Sequence, residues 1–365
     1  KTTLQRFVQS PAFLAVTGIF FICLLSGLYS EDMAYFWGRI RIKLPFLILP
    51  FAFVGLPRLR QSHYHLLLLF FFYLIAFICI GLTANYFWHY DYFTQLYKEG
   101  KIMTTPIQHI RFSLLVCVAI AIGGYLHVKK CTLRWAWERG LRIGLTVFLT
   151  VFLHLLAVRS GLLALYTLFL IYLIYFIFYY RRYWLAAGLL VGGVGLAVLA
   201  VQTIPTLQNK VGYMRYSVDL FLKNENIRDL SDSRRLGSIQ AGVDIGRQHF
   251  WIGTGLGDIL HDTNAYLEEH YPAIANLGLL PHNQLVFVFA STGFVGLLLF
   301  MLCTLLPFFY NKAYTDLLFC SVQGIYFSSF LVEHTVETQI GTASYLFFWL
   351  LTLKNLPAAA KNDGP

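Results

Sequence analysis

Ten apolar segments run through this chain, at roughly 11–30, 44–56, 64–84, 111–128, 141–158, 161–180, 183–204, 283–309, 314–332 and 342–353. Nothing else in the sequence constrains the fold as strongly. In hydrocarbon every backbone N–H and C=O must find its partner inside its own segment. Apolar stretches near ~20 residues therefore become spanning helices. The charge content agrees: 13% of the residues are charged, where soluble domains carry about 25%. Such a chain cannot cover a water-facing surface. The expected class is all-α, a polytopic membrane helical bundle of about ten transmembrane segments. Lys1 opens the sequence without an initiator Met, so further helices ahead of it are expected to be possible.

The net charge of +10 does not point to nucleic acid. Lys1, Arg6, Arg58, Arg60, Lys129, Lys130, Arg134, Arg139, Arg181, Arg182, Lys312, Lys354 and Lys361 fall on one side if every segment spans. By the positive-inside rule that side is cytoplasmic. The opposite side then holds 30–32, 85–110, the short turn at Arg159, the long stretch 205–282, and 333–341. The expected division is N-terminal transmembrane helices 1–204, a large extracytoplasmic loop 205–282 with short helices, C-terminal transmembrane helices 283–356 and a disordered tail 357–365. The 44–56 segment contains Pro45 and Pro50 and is short, unless the stretch from Met33 extends it despite Arg39 and Arg41. No cysteine lies in the large loop, so no disulfide framework is expected there.

Within the loop, 233–249 reads as a helix with Leu236, Ile239 and Val243 on one face and Asp232 or Ser233 as its cap. Gly253, Gly255 and Gly257 follow as a tight turn; no strand precedes them and no P-loop Lys follows.

The polar residues on this side are the candidates for chemistry. Arg159 sits in a turn too short for a water-exposed loop, so it either snorkels to headgroups or clamps an anion. Arg234 and Arg235 open a predicted helix, where cations oppose the macrodipole. They are either balanced by Asp229 and Asp232 or bind a phosphate through their planar forks. His282, between Pro281 and Asn283, is either a cap or a general base. Asn283 would orient the ring or a sugar hydroxyl. Glu333 and Glu337, at i, i+4, would share a helix face with His334 between them, as a solvated turn or as partners for arginines and sugar hydroxyls. Arg111 opens the fourth segment as an anchor or an anion contact. There is no HExxH, no catalytic Asp-x-Asp pair and no G-x-S-x-G elbow, so neither a metal site nor a serine-hydrolase site is expected.

These motifs, taken in order, resemble those of the bacterial O-antigen ligase and polymerase superfamily. Val158-Arg159-Ser160-Gly161-Leu162-Leu163 is similar to that family's "R-S-G-L-L" hairpin. Arg235, with Gly253-Thr254-Gly255 18 residues later, resembles its "R…P-L-L-G-x-G" segment, although Phe250 stands where Pro is frequent and Ile239 where Trp is. His282-Asn283 before Gly293-Phe294-Val295-Gly296 resembles "H-N-x-x-L…G-x-x-G". The resemblance implies a GT-C-like enzyme without a cofactor or metal ion. It would transfer a glycan from undecaprenyl diphosphate to lipid A–core, with inversion, at the periplasmic face of the inner membrane, in lipopolysaccharide biosynthesis. Arg159, Arg235 and His282 would be catalytic. Arg234, Asn283, Arg111, Glu333 and Glu337 would bind substrate. An O-antigen polymerase or a protein O-oligosaccharyltransferase would use the same donor. A polytopic transporter would instead need polar groups near mid-segment, where Thr146, Thr150, His154 and Gln323 are the main candidates.

Overall fold

The computed structural model describes residues 2–98, 101–131, 137–181, 183–203, 205–223 and 230–356, and these contain helices and no strand. In chain order the helices are α1 (Thr3–Val8), α2 (Pro11–Leu25), α3 (Met33–Gly55), α4 (Gln61–Trp88), α5 (Tyr90–Lys98), α6 (His109–Val128), α7 (Trp137–Leu156) and α8 (Arg159–Tyr180). They continue with α9 (Tyr183–Thr203), α10 (Pro205–Lys223), α11 (Ser231–Gln248), α12 (Ile259–His270), α13 (Gln284–Phe309), α14 (Leu317–Phe330) and α15 (Gln339–Asn355). The expected tail 357–365, and Arg134, Arg182 and Asp229, lie outside the described residues.

Six spans, not ten, are long and apolar enough to cross a membrane among the described residues: Pro11–Leu28, Gln61–Trp88, His109–Val128, Trp137–Leu156, Arg159–Tyr179 and Gln284–Thr315. The remaining segments differ for local reasons. α3 does extend back to Met33, giving 23 residues, but it carries Arg39, Arg41 and Lys43 together with Pro45 and Pro50. α14 has 14 residues and α15 has 17. The apolar part of α9 runs over Ala186–Gly195. This is a multi-pass membrane protein.

The chain forms two compact units. One comprises the described residues of Lys1–Arg58, Ser217–Phe319 and Phe330–Pro365; the other those of Leu59–Tyr216 and Cys320–Ser329.

In the first unit, α2 packs on α3 and α13, α11 packs on α12 and α13, and α15 packs on α3. α11 begins at Ser231, two residues earlier than the sequence indicates, and its N-cap position is Leu230, so Asp232 lies in the first turn and does not cap. Its buried face also differs. Leu236 is exposed, whereas Gly237, Ser238, Ala241, Gly242, Ile245 and Gly246 are buried. Small residues let α11 approach α13 closely: a Cβ at Gly242 would lie 2.7 Å from both Pro281 Cγ and Val286 Cγ1. That approach sets Arg235 and Ser238 against the chain entering α13.

The glycine-rich turn is structural. α13 is kinked at Gly293 (φ 68°) and is met there by Gly253 (φ 74°). Phe294 N donates to Phe250 O at 2.7 Å, Val295 N to Trp251 O at 3.2 Å, Thr254 N to Ala290 O at 2.9 Å and Gly255 N to Ser291 O at 3.0 Å. The turn thus partners the backbone groups that the kink releases. Both glycines need a left-handed backbone, and a Cβ on either would overlap the backbone of the other segment. Beyond the turn, Asp258 accepts from Glu31 N and Asp32 N, each at 2.9 Å, and so anchors the loop to the positive end of α3.

A substitution test follows. Gly293→Ala loses at least about 1–3 kcal/mol of stability through its left-handed backbone, read as a lower unfolding temperature. Gly38→Ala, where a Cβ meets nothing within 4 Å, leaves that temperature unchanged or slightly raised.

In the second unit, α6 packs on α4, α7 and α8, and α8 also packs on α9. α7 turns into α8 at Ala157 (φ 52°). Gly161 then lies so close to α6 that a Cβ would come within 2.5 Å of Ser113 Cβ, and Cys117 Sγ donates to Gly161 O at 3.3 Å. The N-terminal turns of α6 and α8 therefore lie together. Each carries an arginine two residues upstream of this contact: buried Arg111 and half-buried Arg159.

Candidate functional site

Four polar side chains from three segments of the first unit converge: Arg235 and Ser238 of α11, His282 ahead of α13, and Glu333 in the turn after α14. Arg235 and Ser238 are one helical turn apart and project from the same face. Arg235 Nη2 pairs with Glu333 Oε1 at 2.5 Å; the carboxylate side chain is 3% exposed and the arginine 25%. Glu333 thereby tethers the guanidinium through one nitrogen, and the arginine side chain stays partly exposed.

Ser238 decides the tautomer of His282. Its hydroxyl carries one hydrogen, donated to Arg235 O at 2.9 Å. With its hydrogen placed there, the same oxygen accepts from His282 Nδ1, 3.0 Å away. The neutral ring then holds its proton on Nδ1, and its basic lone pair is on Nε2. The His282 backbone N also donates to Ser238 Oγ at 3.3 Å. One serine thus links the arginine carbonyl to both the backbone and the ring of the histidine. The sequence reading passes over Ser238, and only its i+3 spacing from Arg235 would have marked it. His334 is a further neighbour: its ring centroid lies 5.0 Å from that of His282, edge to face. His282, Glu333 and His334 each offer one donor atom, and these atoms lie within 4.8 Å of one another. The search for local metal motifs finds nothing here because the donors come from segments far apart in the chain.

The other expected residues divide. Asn283 caps α13, accepting from Leu285 N at 2.9 Å and Val286 N at 3.1 Å, while its amide donates to Leu331 O at 2.9 Å. Its contacts are internal and lock the His282 backbone beside the Glu333 turn. Arg234 is half-buried next to Arg235 on α11. Arg111 and Arg159 belong to the second unit.

Glu333 and Glu337 do not share a helix face. Between them the chain makes a turn and a single 3-10 turn, Thr335–Glu337. Glu337 is fully enclosed, paired with Arg39 at 2.5 Å and with Lys43, and it accepts from Gln284 Nε2 at 2.9 Å. Lys43 also donates to Val336 O at 2.8 Å, and Val336 N donates to Gln284 Oε1 at 3.0 Å. This ion cluster explains Arg39 and Lys43 inside α3, while Arg41 is exposed. It holds the turn that presents Glu333 and His334, and the Glu337 carboxylate is engaged with Arg39, Lys43 and Gln284. Burial alone would raise the Glu337 pKa, but Lys43 and Arg39, with the Gln284 amide, hold it down at about 2, below its usual 4.5.

A carboxyl with a depressed folded-state pKa stabilises the fold fully above its unfolded value. That contribution fades as pH falls from about 4.5 toward about 2. Glu337→Gln strands two buried cations and costs about 3–5 kcal/mol, measured as a fall in thermal stability at pH 7. The acid-labile component of the wild type over that window should vanish with it.

In the second unit, Thr146, Thr150 and His154 line an otherwise apolar cavity of about 380 Å³. Their polar atoms bond locally: Thr150 Oγ1 donates to Thr146 O at 2.9 Å, and His154 reaches Thr150 O at 2.8 Å and the Tyr166 hydroxyl at 3.0 Å. A permeation path would need them turned toward a passing solute.

Residues 144–301, somewhat under half of the chain, match a family model described as O-Antigen ligase. The matched segment contains Arg159, Arg234, Arg235, His282 and Asn283, while Arg111, Glu333 and Glu337 lie outside it. No curated protein matches the chain. Members of this family are glycosyltransferase-like ligases and polymerases. Over residues 144–301 this helical, multi-pass chain is similar to the O-antigen ligase family.

Proposed function

We propose that this protein transfers a glycan from undecaprenyl diphosphate to a sugar hydroxyl of lipid A–core, at the periplasmic face of a bacterial inner membrane. The observation that carries this reading is the Arg235–Ser238–His282 chain. It holds a guanidinium and an imidazole with a basic Nε2 in one fixed arrangement.

The chemistry needs those two groups. The acceptor oxygen attacks the anomeric carbon as the carbon–oxygen bond to the diphosphate breaks. One such displacement inverts the centre. The acceptor proton passes to His282 Nε2, and the lipid diphosphate leaves with the bonding electron pair. Its charge grows as the bond breaks, and a preorganised arginine at a low-dielectric surface stabilises that charge. Arg235 takes this role, with Arg234 beside it. Arg159, on the strength of its hairpin motif, and Arg111, at the adjoining helix start of the second unit, are assigned to substrate phosphate binding. Glu333 positions Arg235 and is displaced in part by the incoming phosphate.

Complementation tests the reading in a strain lacking its O-antigen ligase. The wild-type gene should restore O-antigen capping of lipopolysaccharide, and its His282→Ala or Arg235→Ala forms should not. Full capping by either variant contradicts it. Capping restored only to single repeat units, or loss of protein glycosylation in a deletion strain, would move the assignment to a polymerase or a protein transferase with the same donor.

A further inference from the structure

The His282–Glu333–His334 cluster can do something the transfer reaction does not require. Two imidazoles and a carboxylate are a donor set for a borderline transition-metal dication such as Zn²⁺. Mg²⁺ and Ca²⁺ prefer all-oxygen shells. The three donors lie within 4.8 Å of one another. Tetrahedral Zn²⁺ with bonds of about 2.0–2.2 Å sets its donors roughly 3.3–3.5 Å apart.

The groups that normally back such ligands are present. A ligating histidine donates its other ring N–H to an acceptor, and His282 Nδ1 has Ser238 Oγ at 3.0 Å. A ligating carboxylate is commonly hydrogen-bonded as well, and Glu333 Oε1 receives Arg235 Nη2 at 2.5 Å. Arg235 is also a positive charge beside the ion. It weakens binding, so the site suits a reversible occupant and not a structural one. The two rings meet edge to face with centroids 5.0 Å apart.

We infer that His282, Glu333 and His334 form an inhibitory site for Zn²⁺ or a chemically similar dication, which takes up the His282 lone pair. The binding claim stands on this geometry alone; that binding inhibits rests on the proposed function.

The test uses the full chain, purified in detergent and stripped of metal, titrated calorimetrically with Zn²⁺ alone. One ion per chain should bind. His334→Ala and His282→Ala should each abolish that isotherm, and Glu333→Gln, which keeps the side chain's shape, should weaken it. Ser238→Ala should weaken it about 10–100-fold, the usual effect of removing a group that backs a ligand. Cys131 and His65, 3.2 Å apart in the second unit, are a separate soft-donor pair, and His65→Ala should leave the isotherm intact. Unfolding temperatures show that each variant is folded, and Zn²⁺ should raise that of the wild type but not that of His334→Ala.

In a transfer assay, Zn²⁺ should inhibit the wild type and EDTA should reverse the inhibition. Absence of a one-to-one isotherm, or an isotherm unchanged in both histidine variants, overturns the inference. Stoichiometric binding by a protein with no transferase activity sinks the proposed function and leaves the metal site standing. Active protein that binds no Zn²⁺ does the reverse.

Discussion

His282→Ala lowers the rate of glycan transfer by about 10²–10⁴-fold, the range expected for loss of a general base, while donor binding is nearly unchanged. The acceptor hydroxyl has to lose a proton as it attacks, and Nε2 is the basic position of a ring whose Nδ1 is held by Ser238. The backbone of residue 282 survives the change, because its N–H still reaches Ser238 Oγ and Asn283 still caps α13. The loss should therefore appear in kcat and not in KM. A fall in KM-linked binding with kcat preserved would assign His282 to substrate contact instead.

Arg235→Ala lowers transfer by about 10²–10³-fold, as removal of one preorganised donor to a developing anion does. Arg235→Lys recovers little, because an ammonium cannot reproduce the planar fork that grips a phosphate with two parallel bonds. A structural effect has to be separated out. The Glu333 side chain is 3% exposed and loses its Arg235 partner in the variant, so stability falls as well. Arg235→Ala with Glu333→Gln removes both charges. Thermal stability should recover in that double variant, and transfer should not. Recovery of both would make the pair structural and leave the diphosphate to other residues.

The helical membrane class was legible because hydrocarbon allows an apolar segment so few options. The count of spans was less legible. Whether α3 reaches back to Met33 was left open by Arg39 and Arg41, and Lys43 adds a third charge to the same helix. Two of them are paired with Glu337, almost 300 positions later, and no window along the chain reports that. The face of α11 was misread for a related reason. A helix that packs through Gly237, Gly242 and Gly246 leaves no stripe of large apolar residues, so Leu236 stood out although it is exposed. The Gly253 turn was readable as a turn, but its partner at Gly293 was not, since each left-handed glycine is explained only by the other. At the site, Arg235, His282 and Glu333 were all visible as polar residues on one side. Their grouping through Ser238 is tertiary. Spacing also misled for Glu333 and Glu337: i, i+4 pairs them only on a helix, and the chain there turns.

The most direct measurement is transfer in vitro by the purified chain, with carrier-linked glycan and lipid A–core as the sole substrates, in EDTA. The expected result is an inverted glycosidic product from the wild type at full or increased rate, and about 10²–10⁴-fold less from His282→Ala. Equal transfer by the two proteins, or transfer by the wild type that EDTA abolishes, would contradict it.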